Sequence, residues 1–388
     1  MGKWPLVRLG DVATVVSGST PKTSVEEYWN GNNCWVTPAE LSDEVFVIND
    51  TNRKITDLAV KDTGLKPLPK GTVLLSSRAP IGKVAITGHV MYCNQGFKNL
   101  ICGESIYNKY LFWFLKGKTE YLNSLGRGAT FKEISKKIVE DIKIPLPCID
   151  IQKHIANTLD KTQEIIDGHK KQLAELDDLI KAVFYEMFGD PVANEKGWEI
   201  KTLKDVCNKI TDGTHHSPLN YEKGDYKYIT AKNIKKDGFD LSQLTYVTKA
   251  DHKEIYSRCN PQFGDILYIK DGVTTGIAQI NTLHEEFSML SSIALLKQKR
   301  EIVNNYYLRE VLNNDIMYAH VRRNMGGAAI TRLTIKKIEL IQIPLPPLTL
   351  QTKFANIVTK IEEEKALVKQ AITESEHLFN SLMNEYFD

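Results

Sequence analysis

The chain is written twice. Gly128-Ala129-Thr130-Phe131, running on to Ile144-Pro145-Leu146-Pro147, returns 199 residues later as Gly327-Ala328-Ala329-Ile330, running on to Ile343-Pro344-Leu345-Pro346. At the same offset Ile134 meets Leu333, Lys137 meets Lys336, Gln152 meets Gln351, Lys161 meets Lys360 and Phe188 meets Phe387. The starts of the copies match at slightly shorter offsets. Trp4-Pro5-Leu6-Val7-Arg8-Leu9-Gly10-Asp11-Val12 resembles Trp198-Glu199-Ile200-Lys201-Thr202-Leu203-Lys204-Asp205-Val206, and Trp35-Val36-Thr37 resembles Tyr228-Ile229-Thr230. A repeat this long requires two similar cores, each followed by the same kind of tail. The 388 residues are enough for both. The middles of the two copies diverge.

The tails read as helices. Apolar or small residues recur at spacings of four and three through Ile155, Leu159, Thr162, Ile166, His169, Leu173, Leu176, Ile180, Val183 and Met187. The second copy repeats the series as Phe354, Val358, Ile361, Lys365, Val368, Ile372, Ser375, Phe379, Leu382 and Tyr386. That alternation is the seam of one helix lying along another, and its polar members can fix the register. His169 reads as a packing histidine. Pro145 and Pro147, then Pro344, Pro346 and Pro347, stop any preceding helix or strand. Asp150 and Thr349 stand where an N-cap belongs, and Gly189 with Asp190-Pro191 closes the first helix. A helix from Ile151 to Phe188 would be about 55 Å long at the standard rise per residue. If each globular domain has neighbouring termini, the two helices run antiparallel and the domains sit at opposite ends of a pseudo-two-fold molecule. The expected division is 1–148, helix 149–188, linker 189–197, second domain 198–347 and helix 348–388.

Within each domain short strands alternate with turns, as in Thr72–Leu75, Val84–Ile86, Asp265–Lys270 and Ile277–Ile280, with helices over Lys109–Leu115 and Asn305–Leu312. The fold class is therefore α+β. Charge is uneven. Residues 149–188 hold eight acids against five lysines and 348–388 hold seven against four, so in a chain of net charge +2 the remainder carries +8. A basic remainder beside acidic helices points to a polyanion. The six scattered cysteines, Cys34, Cys93, Cys102, Cys148, Cys207 and Cys259, form no C-x-x-C pair and fit a reducing cytoplasm. No apolar run is long enough to span a membrane.

No catalytic motif stands out. Gly117-Lys118-Thr119 lacks the upstream glycine of a phosphate loop, because Phe112 occupies that position. An adenine methyltransferase would need a glycine-rich cofactor loop and an Asn/Asp-Pro-Pro-aromatic tetrapeptide, whereas Pro346-Pro347 is followed by Leu348. Adjacent His215 and His216 point in different directions and make a poor metal pair. No metal or cofactor is expected. The loop Thr211-Asp212-Gly213-Thr214-His215-His216-Ser217-Pro218 fits a nucleic-acid contact and a plain surface turn equally well. Its counterpart, Ser17-Gly18-Ser19-Thr20-Pro21-Lys22, offers hydroxyls, glycine backbone and a lysine, groups that position phosphates. The candidate DNA face comprises Ser19, Thr20, Lys22, Thr37, Arg78, Lys83, Arg127 and Lys132 in the first copy. In the second it comprises Thr214, His215, His216, Lys232, Asn233, Lys270, Arg322, Arg323 and Arg332. Singly, each is more often a solvated charge; arginine and asparagine are the side chains that read guanine and adenine.

Together, the duplicated Trp…Leu-Gly/Lys-Asp-Val start, the S-G-x-T-P or D-G-T-H loop, and the I-P-L-P block before a glutamine-bearing helix resemble the specificity subunit of type I restriction-modification enzymes. The resemblance covers essentially the whole chain. It implies two target-recognition domains, each reading half of a bipartite, asymmetric sequence in double-stranded DNA. It implies helices that set the spacer and dock two methyltransferase subunits, with restriction-translocase subunits joining through that complex, and a chain that is not itself an enzyme. A self-contained DNA enzyme with an unrecognised site and a protein-only scaffold are the alternatives.

Overall fold

A computed structural model of the chain describes residues 4–42, 46–126, 132–323, 325 and 332–388. Arg127 and the repeated segments 128–131 and 327–330 lie outside the described residues. The chain divides into two compact units, Met1–Lys170 with Gln370–Asp388, and Lys171–Lys369. Each unit holds one copy of the globular repeat, the first half of that copy's long helix and the second half of the other's. The long helices run Ile149–Phe188 and Leu348–Phe387.

The first unit contains a five-stranded sheet ordered Ala13–Ser17, Lys98–Cys102, Val73–Leu75, Val84–Thr87, Val47–Ile48. A three-stranded sheet orders Lys54–Ile55, Trp29–Val36, Tyr92–Cys93, the last pair parallel. The second unit repeats the plan. Four antiparallel strands are ordered Cys207–Asp212, Ile293–Gln298, Ile266–Ile269, Ala278–Ile280, and Tyr226–Ile229 lies between Thr245–Val247 and the parallel strand Phe287–Met289. One core helix packs on each larger sheet, Asn108–Gly117 and Asn305–Asn313. Tyr110 through Leu115 are all buried, so the first of these helices is apolar on every side, as a core helix must be.

Each domain is closed by its own ends. Leu6–Arg8 pairs antiparallel with Lys143–Pro145, and Glu199–Thr202 with Gln342–Leu345. Pro145 and Pro344, expected to exclude a strand, instead lie in these ribbons; a ribbon of two strands has an open edge on which the missing N–H costs no ladder bond. Domain termini are thus neighbours, as the orientation argument required.

Within the first unit the helices pair antiparallel. Tyr386 is hydrogen-bonded to Thr158, while Lys170 meets Glu376 at 2.9 Å. The second unit shows the same sense: Phe184 and Phe188 pack on Phe354 at 5.8 and 5.3 Å, and Lys365 reaches Asp177 at 2.6 Å. The seam departs from the sequence pattern at its C-terminal ends. Phe184 and Phe188, then Met383 and Phe387, are buried, while Val183, Met187, Leu382 and Tyr386 are half-buried. A 3.6-residue helix drifts by about 20° per heptad from a 3.5-residue repeat, and the aromatic rows follow the straight helix. Asp150 and Thr349 also lie inside the first turn, where Asp150 favours the positive end of the helix, and are not the caps. Gly189, at φ +76°, ends the first helix as expected.

A glutamine locks each long helix to its domain. Gln152 Oε1 accepts from Tyr107 N at 2.8 Å, and its Nε2 donates to Ser105 O at 2.9 Å and Pro147 O at 2.8 Å. Gln351 does the same with Asn304 N at 2.8 Å, Ile302 O at 3.2 Å and Pro346 O at 2.8 Å. Both side chains are fully buried. Beside them the Tyr110 and Tyr307 hydroxyls donate to Pro145 O and Pro344 O, each at 2.7 Å.

Candidate nucleic-acid interface

The two domain-start loops are held by the same device. Ser19 N donates to Cys93 O at 3.0 Å, and Thr214 N to Met289 O at 2.9 Å. The residue before each must be glycine. A Cβ on Gly18 would sit 2.0 Å from Asn94 O, and one on Gly213 would sit 2.0 Å from Met289 O. In the first unit two indoles complete the hold: Trp35 Nε1 donates to Ser19 O at 3.1 Å and Trp29 Nε1 to Lys22 O at 3.4 Å. Thr20 bonds Gln95. Lys22 is exposed, and its ammonium makes no ion pair among the described residues.

In the second unit the loop hangs from Asp212. This carboxylate is only 5% exposed, yet it meets Arg258 Nη2 at 2.7 Å, His215 Nε2 at 3.2 Å and Lys270 Nζ at 3.4 Å. Lys270 is 2% exposed and also meets Asp271 at 3.2 Å, and Asp271 in turn meets Arg332 at 3.1 Å. The first unit carries a related network with its signs exchanged. Arg78 bridges to Glu133 as Asp271 bridges to Arg332. Arg78 Nε and buried Lys98 Nζ lie 2.9 and 3.0 Å from Glu133. Burial opposes ionisation of Glu133, but the hydrogen bonds from Lys98 and Arg78 outweigh it and hold the carboxyl below its ordinary value.

These placements sort the sequence candidates. Ser19, Thr20 and Lys22 share one loop, and Thr214, His215 and His216 share the other. Lys132, Lys232 and Arg323 are exposed. Several candidates serve the fold. Thr37 is spent on a capping box: its N–H and hydroxyl both donate to Glu40 Oε2, at 2.6 and 3.1 Å. Asn233 is buried and makes the corresponding cap, accepting from Thr230 N at 2.9 Å. Lys83 Nζ donates to Leu41 O at 2.6 Å. Arg322 Nη1 donates to Thr275 O at 2.9 Å and Val273 O at 3.1 Å. Lys270, neutralised in the core, has no face to offer a ligand, so burial removes it from a surface site. The sequence does not mark Asp212 as the hub of its loop and does not point to Arg258, because nothing in the local pattern shows that Arg258 and Lys270, from distant segments, converge with His215 on one aspartate.

His252 lies between Ser288 Oγ at 3.1 Å and Glu286 Oε2 at 3.2 Å, but Ser288 is 0% exposed and out of reach of any substrate. Burial pushes the Cys93, Cys207 and Cys259 thiols up to about 12, which leaves them protonated. Among the described residues no cluster of three or more histidine, cysteine or acidic side chains could hold a metal, and no helix is long and apolar enough to cross a membrane.

Two α+β domains of one plan, each carrying a stitched start loop and a long helix, define a recognised class. Residues 1–178 and 195–377 match the family described as type I restriction modification DNA specificity domain. The chain belongs to that family, the specificity subunits of type I restriction-modification enzymes. It is 30% identical to the type I restriction enzyme MjaIX specificity subunit of Methanocaldococcus jannaschii, over 93% of this chain and 87% of that one. To the MjaVIII specificity subunit of the same organism it is 24% identical, over 98% and 91%. Its fold resembles the crystal structure of the type I S subunit from M. genitalium, with a TM-score of 0.59 at 17% identity over 100% and 96% of the two chains.

Proposed function

We propose that this chain is the DNA-reading, non-catalytic subunit of a cytoplasmic restriction-modification complex, with domains 1–148 and 198–347 each reading one half of an asymmetric bipartite duplex target. Helices 149–188 and 348–388 set the spacer and dock two methyltransferase subunits, through which restriction-translocase subunits join. The observation that carries this reading is the pair of start loops. They are held in the same place by the same backbone bond, but one presents Ser19, Thr20 and Lys22 and the other Thr214, His215 and His216. Equal position with unequal chemistry suits two different half-sites. Phosphate contacts fix the register, and a few base contacts select sequence.

Fluorescence anisotropy against duplex DNA over a salt series tests it. The full chain binds with strong salt dependence, and Lys22→Glu lowers the slope of log affinity against log salt by about one. Salt-independent or absent binding would leave the scaffold reading standing. Arg78→Glu is a poor probe, because it sets a second carboxylate against Glu133. The chain incubated alone with DNA, magnesium and S-adenosylmethionine neither cleaves nor methylates; either product rejects the assignment.

The spacer has its own test. A heptad inserted in the first long helix adds about 10 Å at the standard helical rise. The methylated target of the reconstituted complex should then change in spacer length, with both half-sites kept. Altered half-sites would contradict a ruler.

A further inference from the structure

Arg53 stands apart from the other described arginines of its unit. Arg8 is paired with Asp141 at 2.5 Å and Arg78 with Glu133 at 2.9 Å. Arg53 is exposed, and among the described residues its guanidinium donates to no carboxylate or carbonyl; it lies over an aromatic shelf. Its Cζ is 3.7 Å from the ring centroid of Trp29 and 5.3 Å from that of Trp35, and the two indoles meet edge to face at 5.2 Å. The backbone beneath is also fixed. Arg53 O accepts from Trp35 N at 3.3 Å and from Thr51 Oγ1 at 2.7 Å. The same indoles hold Ser19 and Lys22, so the shelf joins Arg53 to the start loop.

We propose that Arg53 is a base-reading residue of the first domain, presenting its guanidinium edge to the O6 and N7 of a guanine in the major groove, with Trp29 as the positioning residue. The proposal rests on the DNA-reading assignment above. Stacking on an indole fixes the guanidinium plane but leaves its in-plane N–H groups unspent, which is the geometry a bidentate contact needs. A phosphate does not need that precision, and the neighbouring Lys22 and hydroxyls can hold the backbone. Among the described residues the second domain carries no arginine at the matching place. Tyr228 stands where Trp35 does, and the residue paired with it is Thr245.

Selection of duplexes from a randomised pool by the full chain, followed by anisotropy on the enriched sequence and its single-base variants, tests the assignment. The wild-type chain discriminates against replacement of one guanine in one half-site by about 5- to 150-fold. Arg53→Ala and Arg53→Gln abolish that preference and leave the other half-site unchanged. Trp29→Leu weakens the same preference at the same position. An Arg53→Ala chain that loses affinity equally for all duplexes, with a reduced salt slope, marks a phosphate contact and overturns the proposal. So does one whose base preferences are unaltered. A wild-type chain that enriches no motif overturns the DNA-reading assignment itself, and this one with it. Because Arg53 is exposed, an unchanged melting curve for Arg53→Ala separates these outcomes from misfolding.

Discussion

Asp212→Ala is expected to destabilise the second unit by about 3–5 kcal/mol, the usual cost of removing one member of a buried ion pair. The carboxylate serves three basic side chains, and they are not equivalent. Arg258 is 54% exposed and His215 45% exposed, so both regain water when the aspartate is lost. Lys270 is 2% exposed and cannot. It retains Asp271, but that carboxylate is shared with Arg332. Most of the cost therefore falls on one ammonium. A lost surface interaction would not be rescued, but Lys270→Met in the Asp212→Ala background should recover most of the stability, because the uncompensated charge leaves with its partner. Hydrogen exchange across Ile266–Ile269 and Ile293–Gln298 follows this unit independently of the other. A single-variant loss below about 1 kcal/mol, typical of surface sites, would show that water reaches Lys270 after all. The start loop responds to the same variant, since His215 loses its anchor. DNA affinity should thus fall further than the fraction of folded protein explains.

The duplication, the two long helices and the core helices were legible in sequence because each rests on a periodic or repeated signal. Packing on a helix repeats every three or four residues, and a shared fold repeats every 199. What was not legible depends on segments that meet only in three dimensions. Lys270 reads as a surface lysine in a run of strand residues beside Asp271, and only the folded chain brings Asp212 to it and buries the pair. Glu133 and Arg332 occupy the same repeat position with opposite charge, a difference that looks like divergence until Arg78 and Asp271 are seen opposite them. Arg53 is inconspicuous in the sequence for a related reason. No motif surrounds it, and its aromatic shelf is assembled from residues 24 and 18 positions earlier. The prolines misled because two-stranded ribbons tolerate them where wider sheets do not. The last turns of the helix seam leave the expected pattern because a strict heptad runs past the point where a straight helix departs from it.

Gln351→Leu should cost about 3–5 kcal/mol and loosen the second long helix from its domain, since up to three buried or half-buried backbone groups lose their partner, at about 1–3 kcal/mol for each that water does not reach. The glutamine is fully buried, so water cannot replace it without a cavity. Asn304 N loses its acceptor, and Ile302 O and Pro346 O lose their donor. Leucine fills much the same volume, which separates lost hydrogen bonds from lost packing. Gln351→Glu is a sharper probe. The carboxylate keeps the bond from Asn304 but sets negative charge against two carbonyl oxygens, so it should be at least as damaging at neutral pH and partly recover on acidification, when a protonated carboxyl can donate once more. Gln152→Leu should do the same to the first unit, through Tyr107, Ser105 and Pro147. Chemical denaturation with hydrogen exchange at Asn305–Asn313 and Asn108–Gly117 reads the two effects separately. A stability loss confined to the substituted unit would support two independent clamps. Equal loss in both units from either variant would mean that the helices, and not the glutamines, carry the coupling. If the ruler reading holds, a loosened clamp also blurs the spacer, and the complex should begin to methylate sites one base pair longer or shorter than its own.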